Sequence, residues 1–483
     1  MEITSMNNEK PSNFFTNGLL WFKSLPEKLF AKIVGIAKQF KKIGKDDPRR
    51  VIHSLKVGLA LTLVSLFYYF QPLYNSFGVS AMWAIMTVVV VFEFSVGATL
   101  GKGLNRGMAT LLAGALGVGA HYLASATGKV VEPILLGLFV FLQAFASTFI
   151  RFFPHVKARY DYGMLIFILT FCLVSISGFR VDEIIDMAHK RLSTILLGAS
   201  VCVIVSIFVC PVWAGEDLHK LVAQNMEKLG KFLEGFGDEI FKSSEVEESK
   251  DAKKSLVDYK SVLNSKNTEE TLANFARWEP GHGQFKYRHP WKQYLKIGGL
   301  IRQCACRIDA LNGYINSEIK APEEIKGMIK ETSKKMSIEC GKALKELSQA
   351  VRKMNLPISA DQHVTNAKNS AKNLNSLLKS GINWEEINLL EVIPVAAIAS
   401  ILTDIVICVE EIGQGVNELA SLANFKRSKN KEIINTKVVV EKIESNNNIE
   451  GATTQGSRKV HACSSQHDDH HVVITINEQN MKL

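Results

Sequence analysis

No paired-cysteine framework runs through this chain. Of its eight cysteines, Cys172, Cys202 and Cys210 fall in apolar runs, and Cys304 and Cys306 form CxC rather than CxxC. Reduced thiols on buried or cytosolic surfaces are therefore expected instead of disulfides. The CxC has no second Cys/His pair at suitable spacing nearby, so no metal site is expected there. HExxH, GxSxG and a Walker loop are missing. The glycines of "GATLGKGLNRG" are not followed by the strand–helix unit of a dinucleotide site. Without a recognisable spacing of catalytic groups, neither an enzyme nor a bound cofactor is expected. Nor is a cleavable secretory signal expected, since about fifty mostly polar, basic residues precede the first apolar segment. Nor do the apolar runs alternate: "VVVVFEF" and "GMLIFILTFCLV" exclude the dyad pattern of a membrane β-barrel.

What is present is unevenly distributed. The chain has 483 residues, a net charge of +10 and 47% hydrophobic residues, and the apolar ones crowd into the first half. Segments able to cross a membrane run Leu55–Leu73, Val79–Leu100, Leu104–Ser125, Val131–Ile150, Tyr160–Gly178 and Arg191–Trp213, each close to the ~20 residues that a spanning helix needs. Backbone groups in lipid must be satisfied internally, so helices are expected. The fold class is all-α, a six-span transmembrane domain followed by a cytosolic helical bundle. Four parts are expected: a basic cytosolic segment (1–50), the six-span domain (51–214), the cytosolic helical domain (215–425) and a disordered tail (426–483).

Loop charge sets the orientation. The N-terminal segment, with Lys38, Lys41, Lys42, Lys45, Arg49 and Arg50, should be held inside by anionic lipid, as should "GKGLNR" and "RFFPHVKARYD". "QPLYNSFG" has no charge and should be outside. Six spans then leave both termini cytoplasmic. The fifth loop, "GFRVDEIIDMAHKR", should be external, yet it ends in Lys190 and Arg191, with Asp182, Glu183 and Asp186 offsetting much of that charge. The spans that follow the basic run argue against nucleic-acid binding.

Beyond Trp213, helical periodicity returns with charged residues between the apolar ones. It covers "GEDLHKLVAQNMEKLGKFLEGFGDEIF" and the stretches Tyr294–Ile315, Glu323–Met354 and Asn383–Phe425. "VIPVAAIASILT" is bounded by Glu391 and Asp404 and interrupted by Pro394, so a buried core helix is favoured over a seventh span. The tail has too few apolar residues to offset its ordering entropy. Its His461, Cys463, His467, Asp468, His470 and His471 fit a solvated segment as well as a metal cluster.

The charges at the spans carry the functional argument. A Lys or Arg near the membrane interior costs at least a few kcal/mol unless it snorkels, pairs or faces water. At helical spacing Arg106 shares a face with Ala109 or Thr110, Ala113, Gly117 and Ala120, and Arg191 with Ile195, Gly198, Cys202 and Val205. Small residues beside an arginine mean either close helix packing or room for water and a solute. Two arginines from different spans favour the second: sequential sites in a path for anions. Arg191 is expected near the N-terminus of its helix, where free N–H groups add positive charge. Glu93 needs a partner, and Lys102 is preferred to Arg106; a protonated Glu93 would instead make permeation sensitive to pH.

Three strings are distinctive: "MWAIMTVVVVFEFSVGATLGKGLNRG", "FVCPVWAGEDLH" and "FARWEPGHGQFKYRHPW", the last containing Trp278, Glu279 and Pro280. Through them the chain resembles the plant aluminium-activated malate transporters. The resemblance runs from about Asp46 to Phe425, and the N-terminal "WFKSLPEKL" and "KKIGKDDPRR" look most like the rapidly activating, voltage-dependent guard-cell branch. It implies a dimeric anion channel passing malate and often chloride, nitrate or sulfate, with one shared pore and a cytosolic helical domain. It also implies that Arg106 and Arg191 match the pore arginines, with Lys102 and Lys190 adding to the field. Within it, the plasma membrane is favoured over the vacuole. A proton-coupled exporter of carboxylates or aromatic acids, with Glu93 as proton site, is the alternative; a membrane-anchored scaffold is a third reading.

Overall fold

Proline and serine set several helix starts in the first half. The computed structural model describes residues 32–69, 82–128, 130–176, 181–239, 258–315, 323–380 and 389–426. After a helical segment over residues 32–46, Asp47 interrupts the helix and its carboxylate accepts the Arg49 N–H at 3.1 Å. Helix α1 (Pro48–Tyr69) then begins with Pro at its first position, where no donor is lost. There follow α2 (Met82–Val91), α3 (Val96–Ser125), α4 (Glu132–Ile150), α5 (Pro154–Ile176) and α6 (Val181–Phe208). Helices α1, α3, α4, α5 and α6 are long and apolar enough to cross a membrane, and α2 is a shorter apolar helix of ten residues. This half is a multi-pass helical membrane unit.

Two joins differ from the sequence expectation. The second and third spans do not meet at "GKGLNR": α2 ends at Val91 and the break covers Phe92–Ser95. Ser95 caps the next helix by accepting the Ala98 N–H at 3.3 Å. Thr99 Oγ1 closes the turn, accepting the Glu93 N–H at 3.1 Å. Lys102 and Arg106 therefore stand inside α3, and the glycines around them do not break it. The second difference is at α6, which starts at Val181, ten residues before Arg191. The expected external loop before Arg191 is largely helix, so Arg191 lies about 15 Å from the helix start and gains nothing from its free N–H groups.

A glycine of each small-residue stripe packs closely against a neighbouring helix. A Cβ on Gly117 would meet Val174 at 2.9 Å, and Ala113 and Ala120 are buried with Phe171. A Cβ on Gly198 would lie 2.6 Å from the Ala84 carbonyl oxygen, so α6 and α2 touch backbone to backbone. Helix α4 is the opposite case. Phe141, Phe145 and Phe149 are exposed along one side, and Ser147 is its one fully buried residue.

The second half is a bundle of α7 (Ala214–Glu239), short α8 (Lys260–Leu263), α9 (Lys266–Ala276), α10 (Trp291–Ile315), α11 (Glu323–Lys353), α12 (Ile358–Ser380) and α13 (Leu389–Leu422). Leu218, Val222, Met226, Leu229 and Leu233 recur at helical spacing on α7 and are buried. Gly230 and Gly341 let α7 and α11 cross closely, since a Cβ on Gly341 would lie 2.8 Å from the Gly230 carbonyl oxygen. Helix α13 is longer than the expected twelve uncharged residues and apolar enough to cross a membrane. It packs against α10, α11 and α12, with Val395, Leu402, Val409 and Val416 in the bundle core. Among the described residues there is no β-strand.

Candidate functional site

Helix α3 carries the candidate site into the membrane unit. Lys102, on its second turn, donates to the Glu93 carboxylate beside the break, and its ammonium lies 5.7 Å from the centre of the Tyr162 ring. One turn further, Arg106 is only 4% exposed. Its Nη1 donates to the Tyr162 hydroxyl on α5 at 2.7 Å, while its Nε is buried without a partner. Arg191 on α6 is 5% exposed. Its guanidinium lies 4.0 Å from the centre of the Trp83 ring on α2, a cation–π contact, and its Nε is likewise buried and unpartnered.

Antiparallel packing of α3 and α6 sets the spacing of the two arginines. Gly107 faces Leu196 and Gly103 faces Ala199. From the first pair, Arg106 is one residue toward the α3 start and Arg191 five residues toward the α6 start. That separates their Cα levels by about 9 Å along the axis at the helical rise. Each guanidinium is within reach of the other's charge. Neither has a carboxylate at ion-pair distance among the described residues. Lys190 is half-buried beside Arg191; the side chains of Asp182, Glu183 and Asp186 are outside the description.

A third buried cation escaped the sequence reading. Lys56 on α1 is 2% exposed, among the largest fully buried side chains, next to the cluster of Ala60, Val64, Val88 and Cys202. Its signal was a lone Lys in "HSLKVGLALTLVSLF", but a span placed at Leu55 left it at the margin instead of two turns inside a helix that begins at Pro48. Polar atoms without partners recur in the same interior: Thr110 Oγ1 on α3, Thr170 Oγ1 and Ser175 Oγ on α5, and Ser206 Oγ on α6.

Trp278, Glu279 and Pro280 lie where the membrane unit meets the bundle. Glu279 is buried, and its carboxylate accepts the Ala214 N–H at 2.6 Å and the Gly215 N–H at 3.0 Å, which caps the start of α7. Gly97 of α3 packs against the same side chain, since a Cβ there would lie 2.9 Å from Glu279 Cγ. Burial pushes the carboxyl above its ordinary range, and these donors oppose the shift. Glycine is required on both sides. A Cβ on Gly97 would lie 2.3 Å from the Phe275 carbonyl oxygen, and one on Gly101 would lie 2.9 Å from the Trp278 ring. Arg49 of α1 adds a hydrogen-bonded ion pair with Asp217 of α7 at 3.0 Å, and the Val96 N–H donates to the Val212 carbonyl at 2.9 Å. Lys102, Asn105, Lys157, Arg159 and Trp278 line a cavity of about 320 Å³ at this junction.

Deeper in the bundle, the Tyr294 hydroxyl joins His219 Nδ1 at 2.9 Å and His289 Nε2 at 3.2 Å. Burial holds both imidazoles down to about 4. Cys304 is buried and Cys306 exposed, so the CxC pair does not converge. Among the described residues, no three His, Cys, Asp or Glu side chains are placed to hold a metal. The histidines of the tail lie outside the described residues.

Comparison with known proteins bears on the same regions. The family model "Aluminium activated malate transporter" matches residues 41–384. Aluminum-activated malate transporter 2 of Arabidopsis thaliana is 53% identical over 470 residues, covering 93% of this chain and 92% of that protein. Aluminum-activated malate transporter 7 of the same plant is 55% identical over 424 residues, covering 82% and 84%. Aluminum-activated malate transporter 1 of Triticum aestivum is 47% identical over 418 residues, covering 85% and 90%. The chain is a multi-pass membrane transporter, not an enzyme, and it belongs to the aluminium-activated malate transporter family.

Proposed function

We propose that the chain is an anion channel that passes malate, and also chloride, nitrate and sulfate, down their electrochemical gradients. The observation that carries this reading is the pair Arg106 and Arg191, buried among apolar helices, each with an unpartnered Nε and no described carboxylate beside it. Burying an unpaired charge is costly, and two guanidiniums in each other's field add repulsion. A carboxylate solute offsets both costs, because guanidinium binds it through two parallel, charge-assisted hydrogen bonds. Lys56 extends the positive interior, and Lys102 and Lys190 contribute to the field. The dimer implied by the family would place two such sets around one axis. Charge held within the spans is also a natural source of voltage dependence.

The direction of insertion follows from charge. Arg49 and Lys102 lie at the end of the membrane unit that meets the bundle, and Lys157 and Arg159 line the cavity there. Basic residues collect on the cytoplasmic side, so residues 215–425 and both termini are cytosolic in this reading, and residues 51–214 form the channel in the plasma membrane. Glu93 is less suited to carrying protons across, because it sits at that same end and is held by Lys102.

Single-channel recording from the full-length chain, with malate on the cytoplasmic side, separates the readings. Resolvable unitary currents carried by malate are expected. Malate efflux with no unitary currents, rising with a proton gradient, would favour the coupled exporter. Absence of both would leave a scaffold.

A further inference from the structure

The segment before α1 has a face that the protein leaves uncovered. Over residues 32–46 the chain is helical, and Ile33, Ile36, Phe40 and Ile43 are all between 46% and 69% exposed. Their spacing of three, four and three residues puts them on one side of the helix. At 100° per residue, Lys38, Lys41, Lys42 and Lys45 fall on the opposite side. Lys32 stands at the flank of the apolar stripe, where a long side chain can snorkel. There is no Asp or Glu from residue 32 to residue 45.

We propose that residues 32–46 form an interfacial helix that docks its Ile33–Ile36–Phe40–Ile43 face into an anionic lipid leaflet at the bundle end of the membrane unit. Three observations select lipid as the occupant. The segment is joined through the single residue Asp47 to a membrane-spanning helix, so the leaflet surface is within immediate reach. The Asp47–Pro48 break frees the segment from continuing α1, since the residue before proline is turned away from helical geometry. Finally, an apolar stripe backed by lysines, with no acid before Asp46 at its end, matches the interface of anionic lipid, with hydrocarbon below and phosphate above. A second copy of the segment would instead bring five more lysines against these five. The anchor has a consequence for transport. Arg49, at the start of α1, is tied to Asp217 of the bundle, and Lys56 is buried two turns further along. A leaflet that holds residues 32–46 thus fixes the bundle end of the helix that carries Lys56.

The test is a nitroxide scan of the full-length chain, one residue at a time over 33–45, with Cys210, Cys306 and Cys463 replaced by serine. The protein is reconstituted in phosphatidylcholine vesicles with and without phosphatidylserine. In the anionic vesicles, collision with oxygen should peak at 33, 36, 40 and 43, where collision with a water-soluble nickel chelate should be lowest. That contrast should be largely lost without phosphatidylserine, or when Lys38, Lys41, Lys42 and Lys45 are all changed to Gln. Low access to both reagents at 36 and 40 would mean a protein contact, such as a second copy, and would overturn the proposal. So would chelate access that is uniform along the segment, or a contrast indifferent to lipid charge. The readout is accessibility and not current, so its outcome stands apart from that of the channel reading.

Discussion

The membrane unit and the bundle use positive charge in opposite ways. In the bundle, cations from partly buried to exposed stand on carboxylates: Arg302 on Glu269, Lys345 on Glu234, Lys368 on Glu410 and the exposed Arg352 on Glu227. Glu269 is further satisfied by Ser265 Oγ at 2.7 Å. Among α1–α6, ion pairs occur toward helix ends, at Lys102–Glu93 and Arg151–Asp161. Deeper in, Lys56, Arg106 and Arg191 have no described acid. The same residue types thus stand on carboxylates in one half and lie buried without a described acid in the other. Charge compensation, more than charge count, separates the bundle from the membrane unit.

Three predictions sharpen this contrast, starting with the largest effect. The bundle keeps two imidazoles neutral, His219 and His289, each held down to about 4 from 6.5 by burial. A depressed folded pKa means that the unfolded state binds more protons between these values. The stability is therefore fully present above about pH 6.5 and is lost as pH falls toward 4, by up to ~3 kcal/mol per imidazole. Thermal unfolding of the detergent-purified protein from pH 7.5 to 4.5 should show the fall, and the double variant His219→Gln, His289→Gln should flatten it. An unchanged pH profile in that variant would remove the histidines from the bundle's stability.

Glu279→Ala comes next. It leaves the Ala214 and Gly215 N–H groups unpaired at the start of α7 and should destabilise the junction by about 2–3 kcal/mol. The expected signature is a lower unfolding temperature together with faster hydrogen exchange at the starts of α3 and α7. If exchange quickened uniformly through the bundle, Glu279 would be a general core residue and not a junction clamp.

Glu93→Gln should be the mildest. The pair with Lys102 is about one-third exposed on both sides, so its loss should cost less than about 1 kcal/mol. It should raise the anion current modestly by freeing Lys102. A collapse of the current would instead make Glu93 essential to permeation and revive the proton-coupled reading.

The sequence made the helices legible where the physics is local. Apolar length disclosed the spans, and a 3.6-residue period disclosed α7, α10 and α11. It failed where a few polar atoms decide. The start of α3 depends on Ser95 and Thr99, whereas the charges of "GKGLNR" suggest a loop. Helix α12 has an apolar face made mainly of alanines, Ala360, Ala367 and Ala371, amid Asn and Ser, too weak a period to be read. Lys102 and Glu93 could be paired from their spacing. The distance between Arg106 and Arg191 could not, because it depends on the register of α3 against α6, which glycine contacts fix across more than eighty residues of chain.

The most direct test of the central claim is voltage-clamp recording of malate and chloride currents from oocytes at matched surface abundance. Wild type would be compared with Arg106→Gln, Arg191→Gln and the double variant. If Arg106 and Arg191 serve the permeating anion, each single change should cut malate current at least about tenfold, the loss expected from removing one buried charge-assisted bond of ~1.5–3 kcal/mol. Malate-to-chloride selectivity should shift as well. Currents and selectivity equal to wild type in the double variant would make both arginines structural, and the account of Arg106 and Arg191 as anion sites would be wrong.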